Sequence, residues 1–133
     1  MGRKFQYLLV FVVVLTLSIV MIPSNLGADP VSQVRDFVTS FYVNCLERSP
    51  DAAGLDSWTS QLVNKTKTGS DVAKGIVLSD EFIQKKYDNG AFIKIMYKAF
   101  FNREADSVGY NAWLSKLNSG ISREKVLNGF LQS

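Results

Sequence analysis

The sequence predicts an all-α domain made of two tandem repeats of about three helices each, packed into one small bundle after an N-terminal signal segment. Three observations predict it: a five-residue pattern that occurs twice, apolar residues at helical spacing, and an apolar leader. The pattern is Arg48, Asp51, Gly54, Trp58 and Leu62, repeated 55 positions later as Arg103, Asp106, Gly109, Trp113 and Leu117. A repeat of this length is typical of a supersecondary unit that buries its apolar face against a neighbour.

The first 28 residues have the pattern of an export signal. Arg3 and Lys4 precede a 16-residue, largely apolar run over residues 7–22. As a helix this run spans about 24 Å, less than the roughly 30 Å of a hydrocarbon core. Ala28 suits the last position before cleavage, whereas Leu26 is larger than the cleavage pattern prefers. Two outcomes stay open: a cleaved signal peptide on a secreted or surface protein, or an uncleaved anchor that is the chain's one membrane segment.

Residues 29–133 are predicted to form one all-helical domain, with repeats at about 33–87 and 88–133. Without the leader, 13 basic residues face 12 acidic ones, a net charge of +1. Nucleic-acid binding needs clustered Lys and Arg, so we expect no nucleic-acid partner. Cys45 is the only cysteine, so no intramolecular disulfide can form. Its position on an apolar helix face predicts a small buried hydrophobic residue.

Apolar residues at helical spacing predict the first helix of each unit. Large aromatic side chains dominate both sets, as the core of a small helical domain requires. The expected core residues are Val34, Phe37, Val38, Phe41, Tyr42, Cys45 and Leu46 in the first unit, and Phe92, Ile93, Met96, Tyr97, Phe100 and Phe101 in the second.

The second helix of each unit is predicted to begin near the repeated aspartate. Ser49 is the expected cap, with Pro50 in the first turn. Asp51 and Asp106 then place an acid at a helix N-terminus, where it interacts favourably with the exposed amides. The two motif arginines lie three residues before these acids. We expect an arginine–carboxylate pair that holds the turn between the first and second helices, with ligand recognition as the alternative.

The motif glycines lie inside the predicted second helices. Glycine in a helix costs about 1 kcal/mol relative to alanine, so Gly54 and Gly109 indicate that a bulky group comes close to the backbone. Trp58 and Trp113 are the candidates for that neighbour. The eight residues Arg, Asp, Gly and Trp of the two motifs are therefore interpreted as structural more than ligand-binding.

The third helix of each unit follows a polar loop. Thr68 and Ser122 are the expected caps, and Asp71 completes a capping box in the first copy. Residues 79–87 are predicted to form a short connecting helix, which residues 88–90 should break because they read Asp-Asn-Gly.

Residues suited to catalysis are few. The sequence has no histidine, which excludes Ser–His and Cys–His nucleophile pairs and histidine-based zinc sites. Asp51 with Asp56, or Asp80 with Glu81, could be drawn as glycosidase carboxylates, but acids so close together on amphipathic helices usually face solvent. Neither an Asp-x-Asp-x-Asp-Gly calcium loop nor a glycine-rich phosphate loop occurs. We expect no enzyme activity, no metal site and no cofactor.

The residues quoted above resemble a known family. The runs 37–42, 46–58 and 72–82, and again 97–133, are similar to the bacterial domain of unknown function 4214. The resemblance implies an all-helical module of secreted and surface-layer-type proteins, often in tandem and beside carbohydrate-active or adhesive domains. The chain is also similar, more distantly, to the linker domains of phycobilisomes, which have the same Arg-x-x-Asp-x-x-Gly signature. The family resemblance implies no catalytic residues. This sequence departs from the family pattern at Glu104-Ala105, where Ser-Pro is usual, and it lacks the Ser-x-Glu-Phe tail after Ser133.

Export, tandem repeats and the family resemblance lead to one functional expectation. The chain is expected to be a non-catalytic secreted or cell-surface module that mediates envelope attachment or adhesion by binding a surface glycan or a partner protein. The alternative is a structural spacer or linker that assembles with other repeats. Sugar binding generally needs an accessible aromatic ring face, so buried tryptophans in the two motifs would weaken the glycan interpretation.

Overall fold

The computed structural model describes residues 29–133, and this part of the chain is helical between short loops, without a strand. The all-α prediction is thereby confirmed. The helices are α1 (Pro30–Phe41), continued by a π-helical turn (Tyr42–Leu46), α2 (Ala52–Val63), α3 (Gly69–Val77), α4 (Asp80–Gln84), α5 (Asn89–Phe101), α6 (Ser107–Asn118) and α7 (Arg123–Gln132). The predicted export signal lies outside the described residues. Within residues 29–133, no helix is long and apolar enough to cross a membrane.

The backbone follows the sequence repeat. Helices α1, α2 and α3 correspond to α5, α6 and α7, and α4 connects the two units. The first helix of each unit ends at a residue in the left-handed conformation, Glu47 at φ 57° and Asn102 at φ 50°. These two residues are 55 positions apart, the same separation as the repeated motif. The two units therefore share the geometry of their first turn as well as their sequence pattern.

The core is formed mainly by the first and third helices of both units. Phe41 and Phe100 meet edge to face with ring centroids 5.3 Å apart, so the first helices of the two units are in contact. Most residues of the two predicted apolar stripes are buried. Phe37 and Phe101 are exceptions, each 38 % exposed. Phe37 packs on Phe41 with a centroid distance of 5.1 Å, but it lies at the edge of the stripe, so one side of its ring remains in solvent.

The predicted caps of the third helices are confirmed. Thr68 accepts a hydrogen bond from the amide of Asp71 and the Asp71 carboxylate accepts from the amide of Thr68, which completes the capping box. Ser122 accepts from the amide of Lys125 at 3.2 Å. Both hydroxyls satisfy amides that a helix N-terminus leaves without a partner.

The prediction for the connector was wrong at its C-terminal end. The connecting helix α4 ends at Gln84, not near Tyr87. Asp88 caps α5 by accepting a hydrogen bond from the amide of Ala91 at 2.7 Å. The Asp-Asn-Gly sequence therefore begins a helix rather than breaking one, because aspartate at an N-cap outweighs the low helix propensity of asparagine and glycine.

Cys45 lies in the π-helical turn and is fully buried. Burial raises the pKa of its thiol to about 12, from an ordinary 9.0. The prediction of a small buried hydrophobic residue is confirmed.

We expect the Cys45 thiol to be unreactive in the folded chain. Because its pKa is raised from 9.0 to about 12, the folded state keeps the thiol neutral, and stability should fall as pH rises above 9.0 towards 12. A chromogenic disulfide reagent at pH 8 should label Cys45 only after addition of guanidinium. Rapid stoichiometric labelling of the folded chain would contradict this burial.

Candidate functional site

The candidate site consists of the two copies of the Arg–Asp–Gly–Trp motif. In each copy the aspartate caps the second helix: Asp51 accepts a hydrogen bond from the amide of Gly54 at 2.6 Å, and Asp106 from that of Gly109 at 2.7 Å. The hydrogen bond that the Gly109 amide donates lowers the pKa of Asp106, and a hydrogen bond from the side chain of Arg103 lowers it further. The expectation that Ser49 caps α2 was wrong. Asp51 is the residue with extended backbone before the first helical turn, so its carboxylate reaches the third amide of the helix.

A tyrosine hydroxyl lies against the motif glycine in both units. A Cβ atom on Gly54 would stand 3.2 Å from the hydroxyl oxygen of Tyr42, and one on Gly109 would collide with the hydroxyl of Tyr97. The predicted bulky neighbour therefore exists, but it is a tyrosine of the first helix and not a tryptophan. The absence of a side chain at this position lets the first and second helices approach.

The motif tryptophans contact a different glycine. A Cβ atom on Gly75 would lie 3.0 Å from the ring of Trp58, and one on Gly129 would collide with the ring of Trp113. Gly75 and Gly129 are themselves repeat partners, 54 positions apart in the third helices. Each tryptophan is half-buried. Each unit thus has one ring contact between its first and second helices and one between its second and third.

The ring of Trp113 is largely occupied by the domain's own side chains. It stacks on Phe130 with centroids 5.1 Å apart and an interplanar angle of 26°. The ammonium of Lys116 lies 4.5 Å from the Trp113 ring centroid. A sugar would have to displace one of these neighbours to stack on this ring.

The arginine of the first motif reaches the connector. Arg48 makes a bidentate pair with Glu81, with Nε–Oε1 at 2.7 Å and Nη2–Oε2 at 2.9 Å. Its guanidinium lies 5.1 Å from the ring centroid of Tyr42. The hydrogen bond from Arg48 lowers the pKa of Glu81. The expected pair within the motif was therefore wrong for this unit, because α4 presents a better-oriented carboxylate than Asp51 does.

The arginine of the second motif does pair with its own aspartate. The Nη1 atom of Arg103 lies 3.5 Å from Oδ2 of Asp106, so the predicted pair is present in this unit. The guanidinium also lies 5.2 Å from the ring centroid of Tyr97 and 5.6 Å from that of Phe101. The two copies of the motif thus share the aspartate cap, the glycine contacts and the arginine–tyrosine contact, and differ in the acid that the arginine binds.

The acids considered as glycosidase pairs have other contacts. Asp51 caps α2, and Asp56 forms an ion pair with Arg35 at 2.7 Å. Glu81 is held by Arg48, and its neighbour Asp80 is exposed in the first turn of α4. Three of these four acids are therefore engaged in a helix cap or an ion pair. Among residues 29–133, no group of three or more potential ligands could hold a metal ion.

A concave pocket of about 320 Å³ lies beside the second motif. Its lining combines a cation, an anion, a phenol and an amide, which is suitable chemistry for a small polar ligand. The ammonium of Lys94 lies 5.8 Å from the ring centroid of Tyr110. The lining residues are Lys94, Glu104, Ala105, Ser107, Tyr110 and Asn111. Sequence reasoning missed this pocket because its lining residues lie outside the repeated positions. The one sequence signal near the pocket is Glu104-Ala105, which departs from the family pattern.

Comparison with known families gives one result. The family model described as Domain of unknown function (DUF4214) matches the chain twice, over residues 23–86 and 73–133. The more distant similarity to phycobilisome linker domains stays an expectation. No curated protein and no solved structure matches the chain.

Replacing Gly129 with alanine should destabilise the fold. In an ordinary helix this change gains about 1 kcal/mol, but here the added methyl group collides with Trp113. Overpacking of this kind costs about 1–3 kcal/mol. Urea unfolding of Gly129→Ala should show a lower free energy of unfolding than the native chain.

The exposed helix position Ser115 provides the control, since Ser115→Ala should leave the free energy of unfolding within about 0.5 kcal/mol. In a Trp113→Leu background, Gly129→Ala should become neutral or stabilising. Equal destabilisation in both backgrounds would contradict the Trp113–Gly129 contact.

The Arg48–Glu81 pair should give a pH-dependent contribution to stability. Arg48 lowers the pKa of Glu81 below its ordinary 4.5, so the contribution is present above pH 4.5 and lost as pH falls through the lowered pKa. Glu81→Gln should lower the urea midpoint at neutral pH and have a smaller effect in acid. Arg48→Gln should do the same, and the double variant should be no worse than either single one.

Glu104→Gln is the matched control for this cycle. Glu104 is 81 % exposed and its pair with Lys98 is 3.6 Å long, so this variant should leave the midpoint unchanged. Additive effects of Arg48→Gln and Glu81→Gln would show that the two side chains do not interact in solution.

Proposed function

Because the chain belongs to the family Domain of unknown function (DUF4214), with two copies across residues 23–133, we propose that it is a non-catalytic module of the cell surface that attaches to a partner protein. The apolar leader of residues 1–28 supports export. A cleaved leader gives a secreted or surface-held domain, and an uncleaved one gives a membrane-anchored domain. We propose that binding to this partner attaches the module to the cell envelope or mediates adhesion.

The observation that carries this proposal is an aromatic and cationic surface at one end of the second unit. Phe101 is 38 % exposed, and Arg103 lies over its ring. The side chain of Arg103 is itself 55 % exposed. Aromatic residues and arginine are enriched where proteins bind each other. An exposed phenylalanine beside an accessible guanidinium therefore favours a protein partner.

A surface glycan is the second candidate ligand. The pocket of Lys94, Glu104, Tyr110 and their neighbours favours it, because this pocket offers several hydrogen-bonding groups beside a ring. The stacking of Trp113 on Phe130 weighs against a glycan at the motif itself. A structural spacer or linker that assembles with other repeats is the third interpretation, and it requires no free ligand.

Retention on cell envelopes tests the proposal. The purified chain is incubated with envelopes that are untreated, stripped of surface polysaccharide, or treated with protease. We expect retention to survive stripping and to be lost after protease treatment. Loss on stripping alone would replace the protein partner with a glycan, and no retention on any envelope would favour the spacer.

Two exposed apolar residues supply a matched pair of variants for this assay. Phe101→Ala should reduce retention, because Phe101 lies on the surface assigned to the partner. Ile83→Ala, at a residue 58 % exposed on α4, should leave retention unchanged. Equal loss in both variants would point to non-specific adhesion.

A further inference from the structure

The first and second helices of the first unit are bridged by an ion pair that the second unit lacks. Arg35 of α1 binds Asp56 of α2, with Nη1–Oδ1 at 2.7 Å. The shift of 55 positions places Gly90 at the position of Arg35 and Asn111 at that of Asp56. The second unit therefore has neither the long cation nor the acid of this bridge. Asn111 instead lines the pocket between α5 and α6.

A phenol lies where the bridge would begin in the second unit. A Cβ atom on Gly90 would collide with the hydroxyl oxygen of Tyr110, so an arginine at this position is incompatible with the tyrosine. Tyr110 is itself the counterpart of the apolar Leu55. Three other lining positions also differ in polarity or charge. Lysine, glutamate and serine line the pocket where the first unit has Thr39, Ser49 and Ala52.

The pocket has a cation with which no acid is paired. The ammonium of Lys94 lies 5.8 Å from the ring centroid of Tyr110, and Lys94 is in none of the ion pairs formed within residues 29–133. The other charged residue of the lining, Glu104, lies 3.6 Å from the ammonium of Lys98. These two cations and one acid leave one positive charge in excess. A ligand with a single negative charge balances it, whereas Glu104 would repel a dianion such as phosphate.

The uncharged part of the lining suits a hydroxylated ring. The hydroxyl of Ser107 and the amide of Asn111 can both donate and accept hydrogen bonds. The half-buried ring of Tyr110 supplies an apolar surface beside them. The volume of about 320 Å³ lies at the lower end of the range of about 300–1,000 Å³ that is usual for ligand pockets. A single sugar unit is therefore a ligand of suitable size.

We propose that the pocket between α5 and α6 binds a sugar acid, with the carboxylate on Lys94 and the sugar ring against Tyr110. The site goes beyond the proposed attachment to a partner protein, because its lining does not include Phe101 or Arg103. The same chemistry is present in a free sugar acid and in a uronic acid unit of a glycan. The experiment below separates these two sources.

A titration followed by nuclear magnetic resonance is the direct test. The ¹⁵N-labelled chain is titrated with galacturonate, with galactose and with acetate. Galacturonate should cause saturable shifts of the backbone amides of residues 104–111. Galactose lacks the carboxylate and acetate lacks the ring, so each should bind at least about tenfold more weakly.

Two lysine variants form a matched pair for this titration. Lys94→Gln should weaken galacturonate binding about tenfold, because the hydrogen bond between ammonium and carboxylate is lost. Lys67→Gln, at an exposed lysine in the loop before α3, should leave the binding unchanged.

A triple variant installs the residues of the first unit in the second. Gly90→Arg, Tyr110→Leu and Asn111→Asp together restore the bridging ion pair and remove the phenol, so galacturonate binding should be lost. Circular dichroism and the urea midpoint show whether this variant is folded. If it is not, the two lysine variants still decide the result.

Three outcomes would overturn the proposal: no saturable shifts with galacturonate, equal affinity for galactose, or equal weakening by Lys94→Gln and Lys67→Gln. A trimer of galacturonate that binds more tightly than the monomer through the same amides would identify a glycan as the source. Binding of the monomer alone would identify a free sugar acid. The sugar-acid site is supported in both cases.

The titration and the envelope assay fail independently. If envelopes retain the chain by a protein partner but galacturonate does not bind, the attachment role stands and the pocket is not a sugar-acid site. If galacturonate binds as described while envelopes do not retain the chain, the pocket is a binding site and the attachment role is wrong.

Discussion

Contact between an aromatic side chain and a helical glycine is the constraint on which both units depend. In each unit a tyrosine hydroxyl lies against the glycine of the second helix, and a tryptophan ring lies against a glycine of the third. The glycine of the second helix has two roles. Its amide donates to the capping aspartate three residues earlier, and its missing side chain leaves room for the tyrosine. The fixed spacing of aspartate and glycine in the motif follows from these two roles together.

These contacts explain why helices with poor intrinsic propensity form a stable unit. A glycine inside a helix costs about 1 kcal/mol relative to alanine. The close approach that Gly129 permits lets the ring of Trp113 lie against the third helix, where it stacks on Phe130. Burial of rings of this size contributes more free energy to folding than the glycine costs in helix propensity. The same packing occupies the ring of Trp113 with Phe130 and Lys116, which weighs against a ligand that stacks on this ring.

Local patterns in the sequence were sufficient for the fold class, the repeat, the buried stripes and the caps at Thr68 and Ser122. They failed where several local choices were equally good. Ser49 and Asp51 both suit an N-cap, and only the backbone at the end of the preceding turn selects Asp51. Asp88 begins a helix where its neighbours indicated a break.

The remaining contacts could not be found from spacing alone. Arg48 binds an acid 33 positions away, and the tyrosine against each motif glycine comes from a different helix. Arg123 donates to the carbonyl of Tyr87 and lies over the ring of Phe92, with no counterpart in the first unit. Such contacts depend on how the helices are packed, and periodicity within one helix carries no information about that.

The most direct test of the aromatic–glycine contacts is a nuclear Overhauser experiment on isotopically labelled chain. The structure predicts cross-peaks from the ring protons of Trp58 to the α-protons of Gly75, and from those of Trp113 to the α-protons of Gly129. Both sets should disappear together on unfolding by urea. A folded, helical chain that lacks both sets of cross-peaks would contradict the account that these contacts hold each unit together.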